Sequence, residues 1–296
     1  MTTANRANDS DTNSGEGREL PHDNALLDRI DRYQDALHRP DARAEDFGPL
    51  TLFVRDGSGP PLHARPARGR PGSPVTAADV RRVRARQREL SLPETFEWVA
   101  QTAPGLRKAA EEAGLRVDAR PLLVLPEDAP VPVAAARTVP AGVTVRRLTP
   151  DDPCLPSAVT TPWLAFAELG THIGETGAGA LAEAIPAYAA EITRTADRIR
   201  AGRTTVVAAI EDGLALSSGL FPRAVGGVTE LCAIATLPAA RRRGLALAVT
   251  AALATEARGL GVETVFLCAT DETVARIYAR LGFRRTATFM EARPEE

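Results

Sequence analysis

Lysine is nearly absent from this chain. Lys108 is the only one among 36 lysines and arginines. Arginine therefore carries the positive charge, as GC-rich coding produces, and scattered arginines say little about function. Cysteine is also scarce. Cys154, Cys232 and Cys268 are odd in number and far apart, no C-x-x-C occurs, and the four histidines do not cluster with them. This argues against a disulfide framework or a zinc site, so no metal is expected and reduced thiols point to the cytoplasm. No apolar run approaches a membrane span. The opening stretch MTTANRANDSDTNSGEGREL has no apolar signal-peptide core and reads as a disordered tail over residues 1–20. The net charge of −2 gives no electrostatic footprint for nucleic acid or an anionic membrane. Neither is expected as a partner.

The remaining composition, 44% hydrophobic and 25% charged, is that of a soluble globular protein, long enough for one large or two ordinary domains, and the order of elements along it reads as an α/β chain. Residues 50–64 read as a hairpin around a Gly/Pro turn. Thr76-x-x-Asp79 starts a helix reaching Leu90, with Val80, Val83 and Leu90 on one face and Arg81, Arg82, Arg84, Arg86 and Arg88 on a solvated one. TFEWVA is a strand with Trp98 in the core, a helix follows from Thr102 to Gly114, and LRVDARPLLVL is a further strand. A Pro- and Ala-rich linker over residues 127–142 divides a first lobe (21–126) from a second (143–296).

In the second lobe, residues 143–148 form a strand, and helices fall near 156–169 and 178–199. A hairpin turns at Glu211-Asp212-Gly213, and residues 228–236 form a strand. A helix over 244–260 turns Leu245, Val249, Leu253, Ala257 and Leu260 inward. VETVFLCA is a central strand, Asp271 caps a short helix ending at Gly282, and FRRTATFMEA closes the pattern. Residues 95–125 and 264–292 share the order strand, helix, Gly, strand, with Gly114 aligned on Gly282. The pattern fits an internal duplication.

The densest positive charge, Arg241-Arg242-Arg243, lies between a strand and a helix and is followed at once by Gly244. A helix start exposes unpaired N–H groups, glycine allows close backbone approach, and arginine grips phosphate oxygens. The pattern Arg241-x-x-Gly244-x-Ala246 after ELCAIATLP, with ARIYARLGF downstream, resembles the GCN5-related N-acetyltransferases (GNATs) over roughly residues 143–292. The resemblance implies the GNAT fold, a mixed and mostly antiparallel sheet with flanking helices, here as two tandem GNAT-like lobes. It implies acetyl-CoA as co-substrate. Its pantetheine would lie along Ile234, Ala235 and Thr236, and its pyrophosphate on Arg241, Arg242, Arg243, Gly244, Leu245 and Ala246. Arg242 stands where many members have glycine.

The same resemblance makes Tyr278 the general acid for the departing thiolate; without it, Tyr278 reads as a core aromatic. Asp271 falls where the family often has a cofactor-contacting Asn, though a helix cap is its simpler role. Glu230, on the strand face expected to carry Cys232, Ile234 and Thr236, is the candidate base for the amine, or else a salt-bridge partner. N–H groups near Ala235 and Thr236 are expected to stabilise the developing oxyanion. Ser217-Ser218 lacks the G-x-S-x-G elbow of a hydrolase. In the first lobe Ala110 replaces the tyrosine and RPARGRPGSP replaces the loop, so that lobe reads as degenerate, without a cofactor of its own. The expected function is acetyl transfer to a small-molecule or peptide amine by a monomer or homodimer. A non-catalytic acyl-CoA-binding or regulatory protein is the alternative.

Overall fold

The computed structural model describes residues 24–57, 59–69, 74–129, 139–168 and 170–295. The expected tail (1–20) and residues 130–138 of the expected linker lie outside these. The described residues begin with a helix that no motif in the sequence announces, α1 (Asn24–His38), followed by β1 (Ala42–Asp46). β1 pairs antiparallel with β2 (Leu50–Arg55), and β2 with the short β3 (Arg65–Pro66). The hairpin expected over residues 50–64 is thus displaced: β2 finds its long partner upstream. α2 (Ala77–Glu89) begins as its sequence indicates. The Asp79 N–H donates to Thr76 Oγ1 at 3.3 Å and the Thr76 N–H to Asp79 Oδ2 at 2.9 Å. Its arginines do more than meet solvent: Arg84 pairs with Glu94 at 2.5 Å and Arg86 with Glu45 at 2.8 Å.

β4 (Phe96–Val99), α3 (Leu106–Glu112) and β5 (Arg116–Leu125) complete the first strand–helix–strand unit. The second half contributes β6 (Thr144–Arg147), α4 (Leu155–Ala167), α5 (Ala178–Ala184) and α6 (Ala189–Arg200). The helix expected over residues 178–199 is broken by a 3₁₀ turn at Ile185–Tyr188, where Pro186 cannot donate an N–H. Then come β7 (Thr204–Glu211), β8 (Leu214–Pro222), β9 (Val228–Glu230), β10 (Cys232–Thr236), α7 (Leu245–Gly259), β11 (Thr264–Cys268), α8 (Glu272–Ala279) and β12 (Arg284–Arg293). α7 buries Leu245, Val249, Leu253 and Ala257, but Leu260 lies beyond its last turn and is exposed.

β6 to β8 and β10 form a four-stranded antiparallel sheet in the order β10-β8-β7-β6. The remaining strands form a five-stranded sheet, β4-β12-β5-β11-β9, that interleaves the two halves of the sequence. β12 lies between β4 and β5, and β5 lies between β12 and β11. Each strand–helix–Gly–strand unit thus sends its last strand into the other. Gly114 and Gly282, which turn the chain into those strands, both sit at positive φ (81° and 89°). One face of this sheet packs Phe96, Trp98 and Met290 with α2 and α3 residues such as Val83 and Leu106. The other packs Val99, Leu122, Phe266 and Phe289 under Leu27, Ile30 and Tyr33 of α1.

Candidate active site

The site begins where one strand divides between two sheets. β9 pairs in parallel with β11 as far as Glu230 opposite Phe266. The Leu231 N–H still donates to the Phe266 carbonyl at 2.8 Å. From Cys232 onward the chain pairs with β8 instead. β10 and the end of β11 therefore diverge, leaving a wedge whose edges have lost their ladder partners. The break is a bulge between Cys232 and Ala235, with Ala233 at φ 51°.

The bulge corrects the strand-face expectation. Cys232 lies opposite Leu220, which packs toward α4 and α6. Ile234 packs over Gly219 beside Leu253 of α7, on the opposite face. Glu230 and Cys232 are thus separated from Ile234 and Thr236 because one extra residue reverses the alternation. The Leu237 N–H donates to the Leu216 carbonyl at 2.9 Å. By antiparallel alternation, the Ala235 N–H turns toward β8 and that of Thr236 turns away, toward the wedge. Of the two donors expected for an oxyanion, the geometry leaves Thr236.

The loop after β10 leads into α7. Gly244 is its N-cap, at φ 80° and without a side-chain cap. The first helical bond from this end runs from the Ala248 N–H to the Gly244 carbonyl at 3.1 Å. The N–H groups of Leu245 and Ala246 are among the donors a helix start leaves unpaired. The three arginines have separate roles. Arg241 donates to the carbonyls of Ala165 at 3.0 Å and Glu168 at 2.5 Å, fastening the loop to the end of α4. Arg243 makes a two-pronged pair with Glu211 at 2.6 and 2.9 Å. Arg242 is exposed and stands at φ 66°, in the left-handed region that favours glycine. Glycine, which the resemblance leads one to expect at this position, adopts that conformation without strain. A divergent strand edge, an uncapped helix start and a guanidinium without an ion-pair partner among the described residues fit a thiol ester with an anionic, phosphate-bearing carrier.

Tyr278 lies on α8, buried in the cluster that holds Leu237, Leu245, Leu267 and Ala269, with its ring edge-on to Phe283 at 6.3 Å. Burial pushes its hydroxyl well above the usual tyrosine range. Asp271 caps α8, accepting the Val274 N–H at 2.9 Å. Ser217 and Ser218 are buried and bonded to the carbonyls of Ala235 and Ala158 at 2.8 and 2.7 Å. Neither hydroxyl is placed as a nucleophile.

Glu230 ends β9 on the α1 face, where residues of the first half surround it. Its N–H donates to Tyr33 Oη at 3.3 Å. Burial, and then the negative charge of Glu97, push its carboxyl up to about 7, while the Arg65 charge and a Cys268 hydrogen bond oppose them. Glu97 is held by Arg65 at 2.6 Å and by His63 at 3.2 Å; Arg65 also donates to Gln34 Oε1 at 2.8 Å. Tyr33, His63, Arg65 and Glu97 were not singled out in the sequence. Only Glu97 carried a signal, as a charge inside the apolar strand β4; Tyr33 on α1, His63 just before β3 and Arg65 at its start have none, and nothing local says which half they will face. Among the described residues no group of three acidic, histidine or cysteine side chains could hold a metal ion, and no helix is long and apolar enough to cross a membrane.

Comparison with known proteins agrees with this architecture. The profile of the family described as FR47-like protein matches residues 215–291, the segment that carries β8, the wedge, the loop and Tyr278. A GCN5-related N-acetyltransferase from Kribbella flavida superposes with a TM-score of 0.65 at 23% identity, covering 92% of this chain and 96% of that one. A tandem GNAT protein from the clavulanic acid biosynthesis pathway superposes at 0.53 with 18% identity, over 83% of this chain and 79% of its own. A GCN5-related N-acetyltransferase from Sphaerobacter thermophilus gives 0.51 at 18% identity, over 92% and 93%. No curated protein matches. The profile match over residues 215–291 and the superpositions agree on one architecture, the GNAT fold.

Proposed function

We propose that this protein moves an acetyl group from acetyl-CoA directly to a primary amine. The observation that carries this reading is the wedge between β10 and β11, with Glu230 on one face of the divided strand and Tyr278 in the cluster on the other. Acetyl-CoA supplies an acyl thioester. The Thr236 N–H and the edge of β10 would orient its arm, and the backbone from Arg242 to Ala246 would face its phosphates. Glu230, raised to about 7, accepts a proton from the bound ammonium at neutral pH and leaves a neutral amine with a free lone pair. The amine nitrogen then bonds to the acyl carbon as the carbon–sulfur bond breaks. Tyr278 donates its hydroxyl proton to the leaving sulfur, and the acylated nitrogen sheds its surplus proton as the amide forms, which returns the tyrosine to its neutral form through solvent. The raised proton affinity of Tyr278 opposes its donation, which therefore depends on a close, desolvated sulfur partner.

The test is thiol release from acetyl-CoA across a panel of primary amines, with wild type, Glu230→Gln and Tyr278→Phe. Amine-dependent release that both substitutions depress supports the reading. Tight acetyl-CoA binding with no release on any amine would instead mark an acyl-CoA-binding protein.

A further inference from the structure

A cavity of about 240 Å³ lies between α4 and α6 above β8. Its walls are Ala158, Pro162, Val206 and Leu220, and Trp163 and Phe166 stand at its mouth. Both aromatics are about half exposed, at 50% and 48%. Trp163 stacks on Tyr188 with ring centroids 5.5 Å apart. The polar groups nearby are largely engaged: Ser218 Oγ is bonded to the Ala158 carbonyl, and Glu191 is paired with Arg194. Water in such a space finds few partners, so an apolar body gains by replacing it. The volume exceeds the roughly 150 Å³ of an apolar cavity that takes up benzene, leaving room for a ring or branched chain with a short arm.

Ala233 connects this cavity to the chemistry. It lines the cavity and is also the left-handed residue of the bulge where β10 leaves β11. A molecule with its body under Trp163 would present its end at the wedge. The one carboxylate lining the cavity, Glu191, is already held by Arg194, so the second and third ammonium groups of a polycation would find no counter-charge there. We infer that the acceptor is a primary amine on an aromatic or branched apolar body, seated in this cavity with its nitrogen toward Ala233. Polyamines are disfavoured. This inference rests on the acetyl-transfer reading above for the fate of the amine, but not for its binding.

Trp163 reports binding without turnover, because the other tryptophan, Trp98, is buried at 1% exposure. The full chain is titrated with 2-phenylethylamine, spermidine and octanoyl-CoA while tryptophan emission is followed. Phenylethylamine is expected to change the emission saturably, with a dissociation constant at least tenfold below that of spermidine. Trp163→Phe should abolish the signal, and Phe166→Ala should weaken phenylethylamine binding severalfold. Binding without acetylation would support the cavity's preference and overturn the transfer reading. Spermidine binding as tightly as phenylethylamine would overturn the inference, as would an unchanged constant in Phe166→Ala. A response to octanoyl-CoA with none to the amines would also overturn it, making this an acyl-chain pocket.

Discussion

The helices α2 and α7 occupy corresponding places before the two strand–helix–Gly–strand units, yet they start in opposite ways. α2 is closed by its own side chains: Thr76 and Asp79 satisfy its first donors, and Asp79 puts a negative charge on them. α7 starts at Gly244 with no side-chain cap and an exposed arginine beside it. The units that follow differ similarly. Tyr278 of α8 has Ala110 of α3 as its counterpart, fully buried and without a polar group. One helix start is answered internally, whereas the other is left open, as the proposed acetyl-CoA site requires. On that proposal the two units of one pattern divide into a supporting half and a binding half.

Separating the halves tests this contrast most severely. A chain beginning near Thr138 loses β4 and β5, both partners of β12 and one partner of β11. It should be insoluble or molten, with no acetyl-CoA binding, as followed by circular dichroism and calorimetry. A folded, binding-competent fragment would mean the halves are independent. Next in size, Gly244→Asp should abolish acetyl-CoA binding in a folded protein, since the new carboxylate would face the phosphates and the residue sits at positive φ. The full-length wild type should bind one acetyl-CoA per chain, because of the two corresponding helices α7 is open and α2 is closed. Two sites by titration would break the comparison.

Tyr278→Phe should lower kcat by roughly 10²–10⁴-fold with acetyl-CoA affinity little changed. Wild-type kcat, with chemistry shown to be rate-limiting, would reduce Tyr278 to a core aromatic. The supporting half should be visible in the pH profile. Glu230 must be ionised to accept a proton, and its carboxyl is raised to about 7, so activity should fall as pH falls through about 7. Glu97→Gln removes a neighbouring negative charge, lowers the Glu230 carboxyl and extends activity to lower pH. An unmoved profile would mean that Glu97 does not influence the base. The smallest effect is expected at the closed helix. Thr76→Ala should cost about 1 kcal/mol of stability by denaturant titration and leave acetyl-CoA binding unchanged.

Much of this was legible because it is local. The Thr76–Asp79 cap, the Gly114 and Gly282 turns and the strand–loop–helix around Gly244 are written in adjacent residues, and each appears where its chemistry requires. The rest depends on partners distant in sequence. β5 and β12 were recognised as strands, but nothing in either names the other as its neighbour. Glu230 stood out as a carboxylate near the loop, whereas Glu97, Arg65 and Tyr33 acquire meaning only once the sheet interleaves. The arginine run looked like a single anion site; the structure gives Arg241 and Arg243 to Ala165, Glu168 and Glu211. The bulge at Ala233 has no sequence signature, since alanine is a poor advertisement for positive φ, and it reverses the face on which Ile234 lies.

The interleaved sheet also governs how the molecule is made. β4 ends at Val99 and β12 begins at Arg284, yet they lie side by side. During synthesis the gap between β4 and β5 must stay open until residues 284–293 have emerged, exposing two strand edges beside an apolar core. Such distant pairings close slowly and leave the nascent chain prone to joining its neighbours. The same arrangement offers a route to domain-swapped dimers, in which β12 of one chain fills the gap in another. Expression temperature and chaperone supply should therefore determine the yield of this protein more than its final stability does.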